Sequence, residues 1–295
     1  MAQFLAVSNR KGGVGKSTIA VMLAHAAVEW SHRSVLLMDL DTQCNASLMV
    51  IGGLGWERAC REGRTIADYF YDRFDKVAED ESHYVLNDVG DVAHRRPAAG
   101  RLALLCGSQR LEDIQGELLL KHSKKDLDAD AVAVQVRGRM KRLMKHFGMD
   151  FDLVILDCPP GLSFAALAAL DLADHVLVPF RPDFVSQLAL DRLAMLVERV
   201  ETAEQLAGLP LSQRRYACLA NCLAGTGHER LLIEQLALDH PLLEARLPAL
   251  NSVARAFDWD GVRKTMAEKY EDALPWLRAL HDEVFGAPQL RKKTA

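Results

Sequence analysis

The sequence predicts an α/β fold, a mostly parallel, twisted sheet flanked by helices on both faces. Short, fully apolar runs recur along the chain, as strands buried on both faces read. Each is followed by a longer segment with apolar residues at helical spacing, and this alternation implies parallel pairing through right-handed crossovers. A glycine-rich loop lies between the first apolar run and the first helical segment, and acidic residues end two later runs.

Phe4 to Val7 is the first strand. It leads directly into Lys11-Gly-Gly-Val-Gly-Lys-Ser-Thr18, after which Ile19, Met22, Leu23, Ala26, Ala27 and Trp30 mark a helix from Ser17 to about Trp30 with one face on the sheet. Val35 to Met38 is a second buried strand, and it ends in Asp39-Leu-Asp-Thr-Gln-Cys-Asn45. Residues 52 to 100 read as polar and irregular, with a short helix over 65–71 and a loop over 95–100. Leu102 to Leu105 is a strand, 111–120 a helix, and 121–130 a charged stretch. Val136, Met140, Leu143, Met144 and Phe147 then mark the apolar face of a helix over 134–147 whose opposite face is basic. Phe151 to Asp157 is the clearest strand, four apolar residues ending in an aspartate. Beyond it the pattern gives a helix over 164–173, a strand over 175–179, one long helix from Ser186 to about Leu206 stopped at Gly208-Leu-Pro210, and a strand over 216–221. The remainder reads as helical and closes with 271–285. The expected organisation is a single domain over 1–285 and a disordered tail over 286–295.

Composition narrows the function. In 295 residues, 49% hydrophobic content supplies an ample core, and a net charge of −4 gives no global attraction to nucleic acid, so any such binding needs a local patch. The six cysteines lack the paired spacing of a zinc site and read as buried, reduced thiols. No apolar run approaches the ~20 residues that span a bilayer. No basic-then-apolar leader precedes the first strand, and the tail lacks an amphipathic anchor, so a soluble, cytoplasmic chain without membrane attachment is expected.

The loop explains itself chemically. Gly12, Gly13 and Gly15 allow backbone N–H groups, that of Val14 among them, to close around phosphate oxygens at a helix N-terminus. Lys16 supplies a point charge for the β- and γ-phosphates, and Ser17 a hydroxyl for Mg²⁺. Against the pattern G-x-x-x-x-G-K-[ST], the first glycine is replaced by Arg10, and a second lysine, Lys11, follows it. Carboxylates at the carboxyl ends of neighbouring strands belong beside such a loop, since ligands of open α/β sheets bind along that edge. Asp157 at the end of its strand fits the Walker B role toward Mg²⁺. The plainer readings are a solvated lysine for Lys11, a turn or helix cap for Asp41 and a strand-end cap for Asp157.

Together these residues resemble the ParA/MinD group of P-loop ATPases with the deviant Walker A motif, and more closely its ParA/Soj branch. The pattern K-G-G-x-G-K-[ST]-[ST] stands at 11–18, D-x-D-P-Q-x-N at 39–45 with Thr42 in place of the proline, and D-x-P-P at 157–160. The resemblance implies an ATP-dependent sandwich dimer in which Lys11 reaches the phosphates of the partner's ATP. It implies Lys16 as the in-cis cradle, Thr18 as an α-phosphate contact, Asp41 as the residue that positions or activates water, Ser17, Asp39 and Asp157 around the metal, and Asn221 as an adenine contact. ATP and Mg²⁺ are the implied cofactors. Where the family has I-P-R, this chain has Leu247-Pro248-Ala249, so an arginine linked to DNA contact is absent.

DNA binding therefore needs another surface. Between 121 and 145 lie eight Lys and Arg against three Asp, a local excess of +5. Arg137, Lys141 and Lys145 share a helix face and could follow a phosphate backbone, although a solvated face is the usual meaning of such a run. Arg255, Arg263, Lys264 and Lys269 form a weaker second set. The expected function is a ParA-like ATPase that partitions plasmid or chromosomal DNA, nucleoid-associated, hydrolysing slowly and stimulated by a ParB-like or other cargo-bound activator. The alternatives are a related ATPase that positions a protein cargo, and a weakly hydrolysing, ATP-switched regulatory module.

Overall fold

The computed structural model describes residues 2–75, 80–94, 100–123, 129–147 and 149–286. Among them, strands β1 (Gln3–Val7), β2 (Ser34–Asp39), β3 (Arg101–Leu105), β4 (Leu153–Asp157), β5 (His175–Phe180), β6 (Tyr216–Leu223) and β7 (Leu247–Pro248) form one sheet. All pair in parallel, in the order β3-β2-β4-β1-β5-β6-β7. Helices α1 (Lys16–Ser31), α2 (Asn45–Arg61), α3 (Ile66–Asp75) and α4 (Glu81–Tyr84) precede β3, and α5 (Leu111–Ser123) and α6 (Ala129–Phe147) lead to β4. Then come α7 (Phe164–Leu172), α8 (Phe184–Glu198), α9 (Ala203–Ala207), α10 (Gly227–Asp239), α11 (Asn251–Arg255), α12 (Met266–Tyr270) and α13 (Leu274–Gly286).

Strand side chains alternate between two apolar clusters. Phe4, Leu36, Met38, Val154, Leu156 and Val178 face one, with α3, α6 and α8 packed over them. Leu5, Val7, Leu37, Ile155, Leu177 and Leu219 face the other, beneath α1 and α13. A strand buried on both faces must be apolar at every position, which is why the runs lack polar residues.

Four elements depart from the sequence reading. Helix α1 is buried on almost every side, because α13 and α12 cover the face expected to meet solvent. Ser31 Oγ lies 2.7 Å from His281 Nε2, and His25 Nδ1 lies 2.7 Å from the Tyr270 hydroxyl. Its all-round apolar surface is the property of an interior helix. Helix α2 is not expected at any point over 45–61, where the glycine-rich sequence hides it. The helix is in fact kinked there, with Gly52 at φ 68° and ψ 171°, and a Cβ at that position would lie 2.4 Å from the Trp259 ring. Only glycine fits both the backbone and the ring.

The long helix over 186–206 is two helices. Arg199 ends α8 in the left-handed region at φ 59°, and Thr202 with Gln205 forms a capping box that starts α9, local signals that apolar spacing alone passes over. The C-terminal third also contains a strand, β7, which docks Leu247 beside Asn221; its proline has no N–H to leave unpaired at the sheet edge. The cysteines are all free, but Cys60 is exposed and Cys222 half-buried, contrary to the expectation for six buried thiols. Most of the expected loop over 95–100, Lys124, Lys125 and the tail from 287 lie outside the described residues. No described helix is long and apolar enough to cross a membrane.

The kink yields a test. Gly52→Ala is expected to destabilise the fold by about 2–4 kcal/mol, combining a strained backbone with displacement of Trp259. A urea midpoint equal to wild type would contradict it.

Candidate functional site

The sheet register brings the acidic motifs together. On β2 and β4, Asp39 is the direct partner of Asp157, and on the other side of β4, Asp157 is paired with Val7 at the end of β1. Asp157 thus stands between the glycine loop that follows β1 and the Asp39–Asn45 turn that follows β2.

The loop is tied at both ends. Ser8 N donates to the Leu177 carbonyl at 3.0 Å, Asn9 Nδ2 to the Pro179 carbonyl at 2.9 Å, and Lys11 N to Asn9 Oδ1 at 2.9 Å. Asn221 Nδ2 donates to the Val14 carbonyl at 2.8 Å. Gly15 caps α1 at φ 88°, and a Cβ there would lie 2.4 Å from Asn221 Nδ2, so glycine is required by both conformation and space. A cleft of about 670 Å³ opens over the loop. Gly12, Gly13, Gly15, Lys16, Ser17 and Thr18 line it, with Asp41 and Asn221 also on its wall. Met22, Met49, Val253 and Phe257 add apolar side chains to the lining. Polar groups that suit phosphates and apolar side chains that suit a ring share one cleft, as a nucleotide requires.

The three carboxylates have separate environments. Asp39 is fully buried, and its oxygens are taken. Oδ2 accepts from Ser47 N at 2.8 Å and Ser47 Oγ at 2.6 Å, and Oδ1 from Asp41 N at 3.2 Å. Burial pushes its carboxyl up to about 6, against the Ser47 bonds that favour the charged form. Asp41 is 5% exposed, accepts from Gln43 N at 3.0 Å and faces the cleft. Asp157 is fully buried and neither of its oxygens has a hydrogen-bond partner. Burial and then Asp39 push its carboxyl well above the ordinary range, while Ser17 and Lys16 pull the other way. Lys16 itself is buried, which lowers its ammonium against the pull of Asp157 and Asp41, and its Nζ donates to the Lys11 carbonyl at 3.3 Å.

An orphaned, buried carboxylate near a serine hydroxyl fits a small hard cation. Among the described residues no cluster of three or more His, Cys, Asp or Glu stands ready for a metal. A donor set this sparse suits Mg²⁺, which keeps water and phosphate oxygens as its other ligands. Ser17 and Asp157 are the residues that would hold it. Asp39, whose oxygens are spent on Ser47 and Asp41, holds the Asp41 turn in place.

Lys11 does not line the cleft; its Nζ is ion-paired with Asp183 at the start of α8. Several residues of the site were not expected from sequence. Ser47 bridges Asp39 to Gly107, whose N–H donates to Ser47 Oγ at 2.8 Å. Arg181 lines the cleft, as does Pro248, placing the Leu247-Pro248-Ala249 segment on the cleft wall. Only the neighbourhood of Ser47 to the D-x-D motif could have flagged it.

The basic surfaces are partly neutralised. Arg137 pairs with Asp171 at 3.5 Å, Arg255 with Glu271 at 2.7 Å and Lys264 with Asp260 at 2.7 Å, while Lys269 is buried against Asp91 at 2.6 Å. On α6, Arg142 and Lys145 are exposed and Lys141 is half-buried. The stripe expected through Arg137, Lys141 and Lys145 is interrupted at its first member.

Residues 2–207 match the family described as AAA domain. The chain is 28% identical over 201 residues to the sporulation initiation inhibitor protein Soj of Bacillus subtilis, covering 68% of this chain and 67% of Soj. It is 27% identical over 208 residues to the chromosome partitioning protein ParA of Myxococcus xanthus, covering 70% of this chain and 60% of that protein. The match thus spans about three fifths to two thirds of these relatives. The ATP complex of a variant of Cyanothece McdA has the same fold, with a TM-score of 0.66, 17% identity and 99% coverage of each chain.

Asp157 carries a prediction with opposite signs for stability and activity. A carboxyl raised by burial costs the folded state stability once ionised, so the penalty is absent at low pH and grows as pH rises through the raised value. Asp157→Asn is therefore expected to melt a few degrees higher than wild type, with the difference larger at pH 8 than at pH 5, while Mg²⁺-dependent ATP turnover falls on the order of 100-fold. Calorimetry at the two pH values and a phosphate-release assay check both limbs.

Proposed function

The chain belongs to the AAA domain family as a P-loop ATPase of the ParA/MinD type, ParA/Soj branch, and from that premise we propose that it hydrolyses ATP in an ATP-dependent sandwich dimer that partitions DNA. The observation that carries this reading is the convergence of Lys16, Ser17 and Asp41 on one cleft, beside the strand end where the carboxylate of Asp157 lies buried without a hydrogen-bond partner.

In this reading the N–H groups of the glycine loop and Lys16 hold the β- and γ-phosphates, Thr18 meets the α-phosphate, and Asn221 with the Leu247–Ala249 segment borders the base. Ser17 and Asp157 would hold Mg²⁺, which when bound would supply positive charge against that of the phosphates. Asp41, held by its backbone to Asp39 and pointing into the cleft, orients the attacking water through a hydrogen bond to its carboxylate. The partner subunit's Lys11 supplies the cation that meets charge developing on the transferred phosphoryl group, so hydrolysis and dimerisation are coupled. Turnover is slow alone and is raised by a ParB-like or other cargo-bound activator. The site of action is the cytoplasm, on the nucleoid.

A second reading, an ATPase that positions a protein cargo, is favoured by the ion pairs that neutralise Arg137, Arg255 and Lys264. The cargo changes, and the ATP chemistry does not. A weakly hydrolysing regulatory module is the third reading; its mark is nucleotide-dependent dimerisation without measurable turnover.

Lys11→Ala is expected to abolish ATP-dependent dimerisation and reduce turnover on the order of 100-fold while nucleotide binding by the protomer persists. Unchanged dimerisation by analytical ultracentrifugation would sink the trans mechanism. For the DNA limb, the wild-type protein with ATP should retard nonspecific duplex in a salt-sensitive way. The combined change of Lys141, Arg142 and Lys145 to Ala should flatten the dependence of log affinity on log salt by roughly 3, and Arg137→Ala should do less. Absence of ATP-dependent retardation selects the protein-cargo reading.

A further inference from the structure

The lysine that the proposed mechanism sends to a second subunit is already engaged. Lys11 Nζ is ion-paired with Asp183 Oδ2 on its own protomer, with the two side chains 31% and 41% exposed. The other oxygen of Asp183 has a separate task. Oδ1 accepts from Ser186 N at 2.9 Å and so caps α8, while the single proton of Ser186 Oγ is shared between Oδ1 at 2.9 Å and the Arg181 carbonyl at 2.7 Å.

Both ends of the pair hang from one rigid frame. Strands β1 and β5 are adjacent, and Asn9 links them where they end, receiving Lys11 N and donating to the Pro179 carbonyl. Burial would raise the Asp183 carboxyl, but its bonds from Lys11 and Ser186 hold it below the ordinary range, so it stays charged at neutral pH. An ammonium bonded to the β5–α8 loop of its own protomer cannot at the same time contact phosphates bound by another. The contact must open first.

We propose that Asp183 is a positioning residue that tethers Lys11 in cis in the free protomer and thereby sets the threshold for ATP-dependent dimerisation. The proposal rests on the trans reading of Lys11. A part-exposed ion pair is a weak tether, suited to a reversible step rather than to a lock. A dimer must open two of them, one per protomer, so the effect on the dimer dissociation constant is squared: removing both should tighten it by roughly 2- to 30-fold.

Asp183→Asn removes the charge and keeps the cap, because asparagine ranks with aspartate at helix N-termini. Asp183→Ser is a second uncharged cap in case the first folds poorly. Full-length wild type, Asp183→Asn, Lys11→Ala and the double variant are titrated by sedimentation velocity with Mg²⁺ and a non-hydrolysable ATP analogue. The expected result is that Asp183→Asn dimerises at about 2- to 30-fold lower concentration than wild type, and that adding it to Lys11→Ala changes nothing. Dimerisation unchanged or weakened by Asp183→Asn overturns the tether, the weakened case meaning that Asp183 accompanies Lys11 into the dimer. A gain that persists in the Lys11→Ala background overturns it too, since the effect then bypasses the lysine. If Lys11→Ala alone dimerises like wild type, the trans reading fails and the tether with it, a result distinct from Asp183→Asn failing where Lys11→Ala is impaired.

Discussion

The parallel register of β2 against β4 is the constraint from which the site follows. It sets Asp39 and Asp157 side by side at the carboxyl edge of a sheet that is apolar on both faces. Two buried carboxylates at that spacing cannot both be comfortable as anions. The structure resolves the conflict unequally. Asp39 receives the Ser47 hydroxyl and two backbone N–H groups, and Asp157 receives none, so one carboxylate becomes architecture and the other stays available to a cation. The two apolar clusters offset the cost of leaving such a group unsatisfied, as is common where function competes with stability.

The two lysines of the glycine loop divide in a similar way. Lys16 is 6% exposed and surrounded by carboxylates; Lys11 is half-exposed and paired outside the cleft. Burial fixes the first beside the glycine loop. Exposure leaves the second able to change partners. The same loop is positioned from outside by Asn221, whose amide reaches the Val14 carbonyl across Gly15, so the β6 edge and the glycine loop form one unit.

Charge read along the chain overstated the basic surface. Carboxylates remote in sequence return to meet it, as Asp171 does Arg137 and Glu271 does Arg255. Lys269 is the extreme case: counted as a surface cation, it lies buried between Asp91, the Ala256 carbonyl and the Phe257 ring, and clamps the segment near Asp91 to α12. A buried pair of this kind is costly to break singly, because the remaining charge would be uncompensated.

By itself the sequence determined the α/β class, most strands, the glycine loop, both of its lysines and the acidic motifs, because apolar periodicity and phosphate chemistry are local properties written in neighbouring residues. It also sufficed to relate the chain to its family. It did not reveal the α2 kink, the break between α8 and α9 or β7, since a tolerated glycine, a capping pair and a two-residue edge strand leave almost no periodic signal. The partners of the motif residues were decided only in three dimensions. Ser47 for Asp39, Asp183 for Lys11 and nothing for Asp157 are outcomes of strand register and loop packing, and those depend on contacts between residues far apart in the chain.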